Sequence, residues 1–94
     1  MEKASTRDVP RPFELHWGKG LIVEEVTYSG EHHQPAIQLL EFEDGVLSIR
    51  FCYYDHAGRF QRSPLMVGQD EVAGLRNALA KTPRLHALLK DMVG

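Results

Sequence analysis

The chain has 94 residues, of which 43% are apolar and 26% charged, and its net charge is −2 with the histidines neutral. This length makes one domain, and the composition is that of a globular protein. The charge excludes the strongly basic domain expected of a general nucleic-acid binder, although it leaves room for a local basic patch. A single cysteine, Cys52, excludes an internal disulfide and fits a reducing compartment.

The first twelve residues differ in composition from the rest of the chain. They combine charged residues, Ser, Thr and two prolines with almost nothing to bury, so residues 1–12 are predicted to be a flexible tail. This segment has no apolar core of a signal peptide, and no apolar run in the chain approaches the roughly 20 residues that span a bilayer. We therefore expect a single domain over residues 13–94 in the cytoplasm, with no membrane partner.

The first part of the domain is rich in strand signals. A short strand is predicted over residues 13–17, and β-branched and aromatic residues indicate a main strand over Leu21–Tyr28. Two further β-rich runs flank Asp44 and Gly45, a pair typical of a two-residue type I′ hairpin turn. That turn would pair Glu43 with Val46. It would also place the following pairs together on one apolar core face: Phe42 with Leu47, Leu40 with Ile49, Gln38 with Phe51, and Ala36 with Tyr53.

A second hairpin is predicted at Gly58, which suits the left-handed position of a three-residue loop. Such a loop pairs Asp55 with Arg59 and then Ile49 with Leu65. Pro64 lacks an amide donor, which places the last strand at an edge of the sheet. The face opposite the apolar one would then gather Arg50, Cys52, Tyr54, Phe60 and Arg62.

After Gly68 the apolar period becomes helical. Val72, Leu75, Ala78 and Leu79 form one stripe, and Thr82 followed by Pro83 is typical of the start of another helix. That second helix carries the stripe Leu85, Leu88, Leu89 and Met92. The sequence thus predicts an α+β fold, an antiparallel four-stranded β-meander followed by two short C-terminal helices that back the sheet.

Candidate catalytic and metal-binding residues do not form a recognised pattern. His32, His33, Cys52 and His56 lack the paired spacing of a zinc site, and adjacent strand residues point to opposite faces. Cys52 with His56 has no third group to orient it as a catalytic pair. We expect neither a cofactor nor a metal, and the protein is predicted not to be an enzyme.

The arginines and aromatic rings around the second hairpin have two interpretations. Single-stranded nucleic acid is held by guanidiniums on phosphates and by bases stacked on rings, which the alternation of these residues matches. Alternatively, Tyr54 and Phe60 form a cross-strand pair that supports the hairpin, while Arg50 and Arg62 keep an outer face soluble.

The segment from Phe42 to Leu79 resembles the positive cofactor four family of transcriptional coactivators, single-strand-binding proteins with bacterial members. The similarity lies in a strand-turn-strand pattern and in the start of the following helix. It is carried by Val46, Leu47, Ile49, Arg50, Tyr53, Asp55 and Gly58, then by Glu71 and Leu75. The resemblance implies a homodimer that packs through its helices and binds unpaired DNA or RNA on curved sheets. It would place stacking aromatics at Phe42 and Tyr53 and a sheet arginine at Arg50.

Our leading interpretation is a non-enzymatic module for single-stranded DNA or RNA, homodimeric through the C-terminal helices. Its phosphate contacts would be Arg50, Arg59 and Arg62, and its stacking residues Tyr53, Tyr54 and Phe60. The alternative is a small homodimeric protein-interaction domain with no nucleic-acid role.

Overall fold

The computed structural model describes residues 4–5, 8–61 and 65–94, which fold into one antiparallel sheet followed by two helices. The strands are β1 (Ala4–Ser5), β2 (Arg11–Leu15), β3 (Gly18–Tyr28), β4 (Gln34–Phe42), β5 (Leu47–Tyr54) and β6 (Leu65–Gly68). A 3₁₀ turn at Gln69–Glu71 leads into α1 (Val72–Leu79) and α2 (Pro83–Val93). The predicted α+β class, with an antiparallel sheet and two C-terminal helices, is confirmed.

The sheet has more strands than the predicted four. Its order is β1-β3-β4-β5-β6, and β2 also pairs with β3. One edge of β3 pairs with β4, so both β1 and β2 pair with its other edge. The six strands therefore occupy five positions across the sheet. β2 begins at Arg11, inside the segment predicted as a tail, and β1 lies there too. β6 lies at the sheet edge, as predicted.

Close approach between β3 and β4 depends on a glycine. A Cβ built at Gly20 would lie 2.1 Å from the carbonyl oxygen of Glu41 and 2.7 Å from the Cα of Phe42. Both contacts are with backbone atoms, which have little freedom to move, so any larger residue would push the strands apart.

The first hairpin differs from the prediction. Its loop has three residues, Glu43–Gly45, because the Phe42 N–H donates to the Val46 carbonyl at 2.9 Å. The Gly45 N–H donates back to the Phe42 carbonyl at 2.9 Å, and Gly45 takes the left-handed φ of 90°. An Asp-Gly pair thus ends this loop just as Ala-Gly ends the next one.

The longer loop shifts the β4–β5 register by one residue. As a result, the β5 residues predicted to share a face with Leu40 and Gln38 lie on the opposite face. Leu40 lies opposite Ser48 instead of Ile49, and Gln38 lies opposite Arg50. A register that is wrong by one residue is wrong for every pair, because side chains alternate with a period of two. All four predicted apolar pairs are therefore incorrect.

The second hairpin has the predicted three-residue loop. The Asp55 N–H donates to the Arg59 carbonyl at 3.0 Å, and the glycine that ends the loop has φ 85°. Further along, Ile49 pairs with Val67 and not with Leu65 as predicted. The difference is two residues; residues 62–64, which precede β6, lie outside the described part. Because the register between β5 and β6 differs by an even number of residues, each side chain of β6 still lies on the predicted face relative to β5.

The sheet therefore has two contrasting faces. The arginine face is the more buried one; it carries Phe13, Ile22, Glu25, Thr27, Ala36, Gln38, Leu40, Phe42, Ser48, Arg50, Cys52, Tyr54 and Met66. The open face carries Leu21, Glu24, Val26, Ile37, Leu39, Glu41, Leu47, Ile49, Phe51, Tyr53, Leu65 and Val67, of which only Val67 is buried. The prediction that the arginine-bearing side is the outer one is wrong. Two apolar clusters form the core on the arginine face: one of Phe13, Ile22, Leu40 and Phe42, and one of Ala36, Cys52 and Tyr54.

The helices do not back the sheet as predicted. Neither α1 nor α2 contains a buried residue. Thr82 occupies the predicted N-cap position of α2 with Pro83 behind it, although the Thr82 hydroxyl donates backwards to the Leu79 carbonyl at 3.2 Å. Among the described residues, no helix combines the length and apolar character needed to cross a membrane.

Candidate functional site

A buried carboxylate lies at the centre of the arginine face. The Glu25 side chain is fully buried, and its position results from a bulge in β3, where Ile22 pairs with Leu40 and Glu24 pairs with Leu39. Val23 is the extra residue. From the bulge onward, odd-numbered residues of β3 point to the arginine face, which is why Glu25 faces the core and Glu24 does not.

Three side chains contact this carboxylate, although its Oε1 atom accepts no hydrogen bond from the described residues. Arg11 Nη2 donates to Oε2 of Glu25 at 3.0 Å, and Arg11 Nη1 forms an ion pair with Oε1 at 2.8 Å. The amide nitrogen of Gln38 donates to Oε2, and the Tyr54 hydroxyl donates to the same oxygen at 3.2 Å. Buried charges of this kind are tolerated only when they are paired and hydrogen-bonded. The network joins β2, β3, β4 and β5.

The electrostatics of the network follow from these contacts. Burial alone would raise the pKa of Glu25, but the hydrogen bonds from Arg11 and Gln38 outweigh it, and the pKa is lowered. The hydrogen bond to Glu25 raises the pKa of Arg11. Burial, reinforced by the Glu25 charge, raises the pKa of Tyr54. The structure therefore favours an ionised carboxylate, a guanidinium and a neutral phenol.

Arg50 extends the network. Its Nε donates to the side-chain amide oxygen of Gln38 at 2.6 Å, and its guanidinium carbon lies 4.9 Å from the ring centre of Phe60 and 6.0 Å from that of Phe13. With 7% of its surface exposed, Arg50 is an internal residue. We infer that its guanidinium is held by packing and by Gln38.

Sequence reasoning missed Arg11, Glu25 and Gln38. The available signal was polar residues within otherwise apolar strand runs, LIVEEVTY for Glu25 and AIQLLEF for Gln38. Arg11 falls in the segment predicted as a tail, and only the pairing of β2 with β3 brings it to the carboxylate.

The structure brings together three of the six predicted site residues. Arg50, Tyr54 and Phe60 meet on the arginine face, where the rings of Tyr54 and Phe60 lie edge to face at 5.6 Å across an isolated β-bridge. The cross-strand pair of the alternative interpretation is thus confirmed. Tyr54 is 6% exposed, so its ring offers almost no surface to a base, whereas Phe60 is 43% exposed.

The other three predicted residues lie elsewhere. Tyr53 points to the open face, where its ring lies 4.9 Å from that of His33. Arg59 is exposed and forms an ion pair with Asp55 at 3.0 Å, while backbone N–H groups of the loop lower the pKa of Asp55. Arg62 lies outside the described residues.

Aromatic rings and one guanidinium follow one another along the arginine face. The Trp17 ring stacks on Phe42 with centroids 5.4 Å apart, and Phe42 meets Phe13 edge to face at 5.1 Å. Phe13 lies beside Arg50, and Arg50 lies beside Phe60. This aromatic row has exposed rings at its two ends, Trp17 at 61% and Phe60 at 43%. The sequence prediction included Phe60 but not Trp17.

The histidines and the cysteine are dispersed. Cys52 is buried on the arginine face, and burial raises its pKa. His56 lies in the second hairpin loop, with Nε2 2.9 Å from the Glu31 carbonyl oxygen. Within residues 4–5, 8–61 and 65–94, no group of three or more His, Cys, Asp or Glu side chains is arranged to hold a metal ion. No family model, curated protein or solved structure matches this chain.

Proposed function

We propose that the protein is a self-associating interaction domain, whose open face and helices form an interface with a second copy. The observation that carries this proposal is the large surface of the single chain. Its accessible area is 7365 Å², whereas a compact monomer of its mass would expose about 5,500 Å². Its radius of gyration is 14.3 Å, against about 12 Å for a compact domain.

The excess area is comparable to a protein interface. Summed over the whole chain, including the residues outside the described part, it amounts to about 1,900 Å², and a standard interface covers about 800 Å² on each partner. Much of the uncovered surface is apolar. On the helices, the predicted stripes remain exposed at Val72, Leu75, Leu85, Leu88 and Met92, by between 44% and 69%. An amphipathic helix that buries no residue within its own chain is expected to pack elsewhere.

The open face offers a complementary surface. Grooves of about 290 and 150 Å³ run along it, the first between Val26, Ile37 and Ile49 and the second between Leu47 and Val72. Charge also favours this arrangement. Residues 72–94 contain four basic residues and one acidic, while residues 8–61 contain nine acidic and four basic. The helices of one copy would therefore be attracted to the sheet of the other.

Analytical ultracentrifugation tests this proposal. The wild-type chain should sediment as a dimer of about twice its 10.7 kDa mass at micromolar concentration. Leu88→Glu places a charge in the α2 stripe, where 69% of the residue is exposed, and should produce monomers. Ala87→Glu is the matched control, because Ala87 is exposed on the opposite side of the same helix. A monomeric wild type at about 100 µM would refute the proposal.

Binding of single-stranded nucleic acid is the second candidate, favoured by the exposed Phe60 end of the aromatic row. Phe60 stacks on a guanidinium and leaves 43% of its surface accessible beside the exposed Arg59. A base stacked on such a ring contributes about 1–3 kcal/mol. Because Arg50 and Tyr54 are buried, fewer side chains are available to contact a nucleic acid at this end than the sequence predicts.

A fluorescent poly-thymidine oligonucleotide provides the test for this second candidate. Binding should be measurable at about 20 mM salt and should weaken as salt rises, since phosphate contacts release counterions. Phe60→Ala should weaken binding by roughly 5- to 150-fold. Tyr28→Ala should have no effect, because Tyr28 is a similarly exposed ring on the opposite face. Absence of binding at low salt would remove nucleic acid from consideration.

A further inference from the structure

The 3₁₀ turn at Gln69–Glu71 determines the direction in which the two helices leave the sheet. The Glu71 carboxylate accepts a hydrogen bond from the Gly68 N–H at 2.8 Å, which ties the start of α1 to the end of β6. A Cβ built at Gly68 would lie 2.8 Å from Oδ1 of Asp70, so the turn is also closely packed. A capping contact of this kind fixes how the chain enters the following helix.

In this direction the helices leave the open face of their own chain uncovered. Val72, the first residue of α1, lines the groove of about 150 Å³ together with Leu47 and Ile49. Beyond it, neither helix buries a residue. On β3, two strands away from β5, Val26 is 43% exposed. The uncovered sheet face and the uncovered helices therefore belong to one chain but do not meet within it.

The excess accessible area of the whole chain fits two contacts with a partner. A chain that uses a single surface covers about 800 Å², which is less than half of the excess of about 1,900 Å². A chain that places its helices on a second copy, and receives that copy's helices on its own open face, uses two surfaces. Two surfaces of standard size cover about 1,600 Å², close to the excess.

Charged side chains bordering the two apolar surfaces are complementary. The open face carries the exposed carboxylates of Glu24 and Glu41. On the helices, Arg76 and Arg84 are exposed, and each lies about 80–90° around its helix from the centre of the apolar stripe. None of these four side chains forms an ion pair within the described residues. Opposite charges on two surfaces favour one mutual orientation over others.

We propose that two copies exchange their C-terminal helices, so that α1 and α2 of each copy cover the open face of the other. Arg76 and Arg84 of one copy lie beside Glu24 and Glu41 of its partner, and the apolar stripes pack between them. This inference rests on the proposed self-association and adds which surface meets which. Because the same contact is made twice, in opposite directions, it closes the pair and leaves neither surface free.

Charge reversal on separate chains tests the exchange. The sheet variant carries Glu24→Lys with Glu41→Lys, and the helix variant carries Arg76→Glu with Arg84→Glu. In a homodimer of either variant like charges meet at both contacts, so the dissociation constant should rise by about 10- to 100-fold. In an equimolar mixture, one contact joins the two reversed surfaces and the other joins two wild-type surfaces. The mixture should therefore form dimers, and so should a chain that carries all four substitutions.

Analytical ultracentrifugation measures these samples at a concentration at which wild type is dimeric, with circular dichroism to verify that each variant is folded. Glu31→Lys with Glu43→Lys is the matched control, because it makes the same charge change in two exposed loops and should sediment as wild type does.

The outcomes separate the exchange from self-association itself. A monomeric wild type would overturn both. If wild type is dimeric, the exchange alone is overturned when either reversed variant still dimerises as wild type does, or when neither the mixture nor the fourfold variant recovers dimers. Recovery of dimers in both, with the control unchanged, supports helices of one copy lying on the sheet of the other.

Discussion

The substitution Glu25→Gln tests whether the buried network stabilises the fold. It keeps the shape of the side chain but removes the charge that Arg11 neutralises, and it replaces one of the two acceptor oxygens with an N–H donor that faces the donors of Arg11, Gln38 or Tyr54. Breaking a fully buried ion pair costs about 3–5 kcal/mol. Arg11 is 29% exposed and can be partly solvated, so we expect a loss of about 2–3 kcal/mol.

Urea unfolding at fixed protein concentration measures this loss, with Glu24→Gln as the control. Glu24 is the neighbouring residue but lies exposed on the open face, so its substitution should cost less than about 0.5 kcal/mol. The pH dependence gives a second test. The pKa of Glu25 is lowered by folding, so its stabilisation is present above the unfolded pKa and is lost as pH falls through the folded one.

The difference in free energy of unfolding between wild type and Glu25→Gln should therefore be largest above about pH 5 and should become smaller below about pH 4. If the two glutamine variants lose equal stability at pH 7, or if the gap widens in acid, the network does not stabilise the fold in the way described.

Three further predictions concern single residues. In denaturant unfolding, Gly20→Ala should lower the free energy of unfolding by more than about 2 kcal/mol, because its Cβ would meet backbone atoms. Gly74→Ala lies in open space on α1 and should raise the free energy of unfolding by about 0.5–1 kcal/mol. Similar effects of the two substitutions would contradict the packing described. Phe60→Ala should cost about 1–2 kcal/mol through its lost contacts with Arg50, and an unchanged unfolding midpoint would show that the ring is not structural. Burial should make Cys52 react with a disulfide reagent at pH 8 far more slowly in native protein than in urea, and equal rates would refute its raised pKa.

The turn chemistry shows what the sequence could and could not predict. Both hairpins, the edge position of the last strand and the two helices were predicted from the placement of glycine and proline and from apolar periodicity. The β4–β5 register was not, because Asp44 and Gly45 suit a two-residue loop and a three-residue loop equally well. The observed register pairs Gln38 with Arg50, a contact between buried polar side chains that apolar patterning gives no reason to favour.

The candidate site was less predictable than the fold. Alternation correctly separated Tyr53 from Arg50, Tyr54 and Phe60, but burial of the arginine face depends on β2 and on the bulge in β3. The sequence predicted a short strand over residues 13–17, which overlaps β2, but neither the pairing of β2 with β3 nor the bulge could be read from local propensity. Trp17 likewise joins the aromatic row only because the β2–β3 turn lies over Phe42.

Because of the bulge at Val23, the length of β3 can change by one residue without changing which residues it pairs with. Because Val23 is the extra residue, a chain lacking it would keep every cross-strand partner of β3 and the same face for every side chain. A deletion at Val26 would instead turn part of the strand over and expose Glu25 or its neighbours. β3 thus contains one position at which evolution or design can adjust the curvature of the sheet without altering its chemistry.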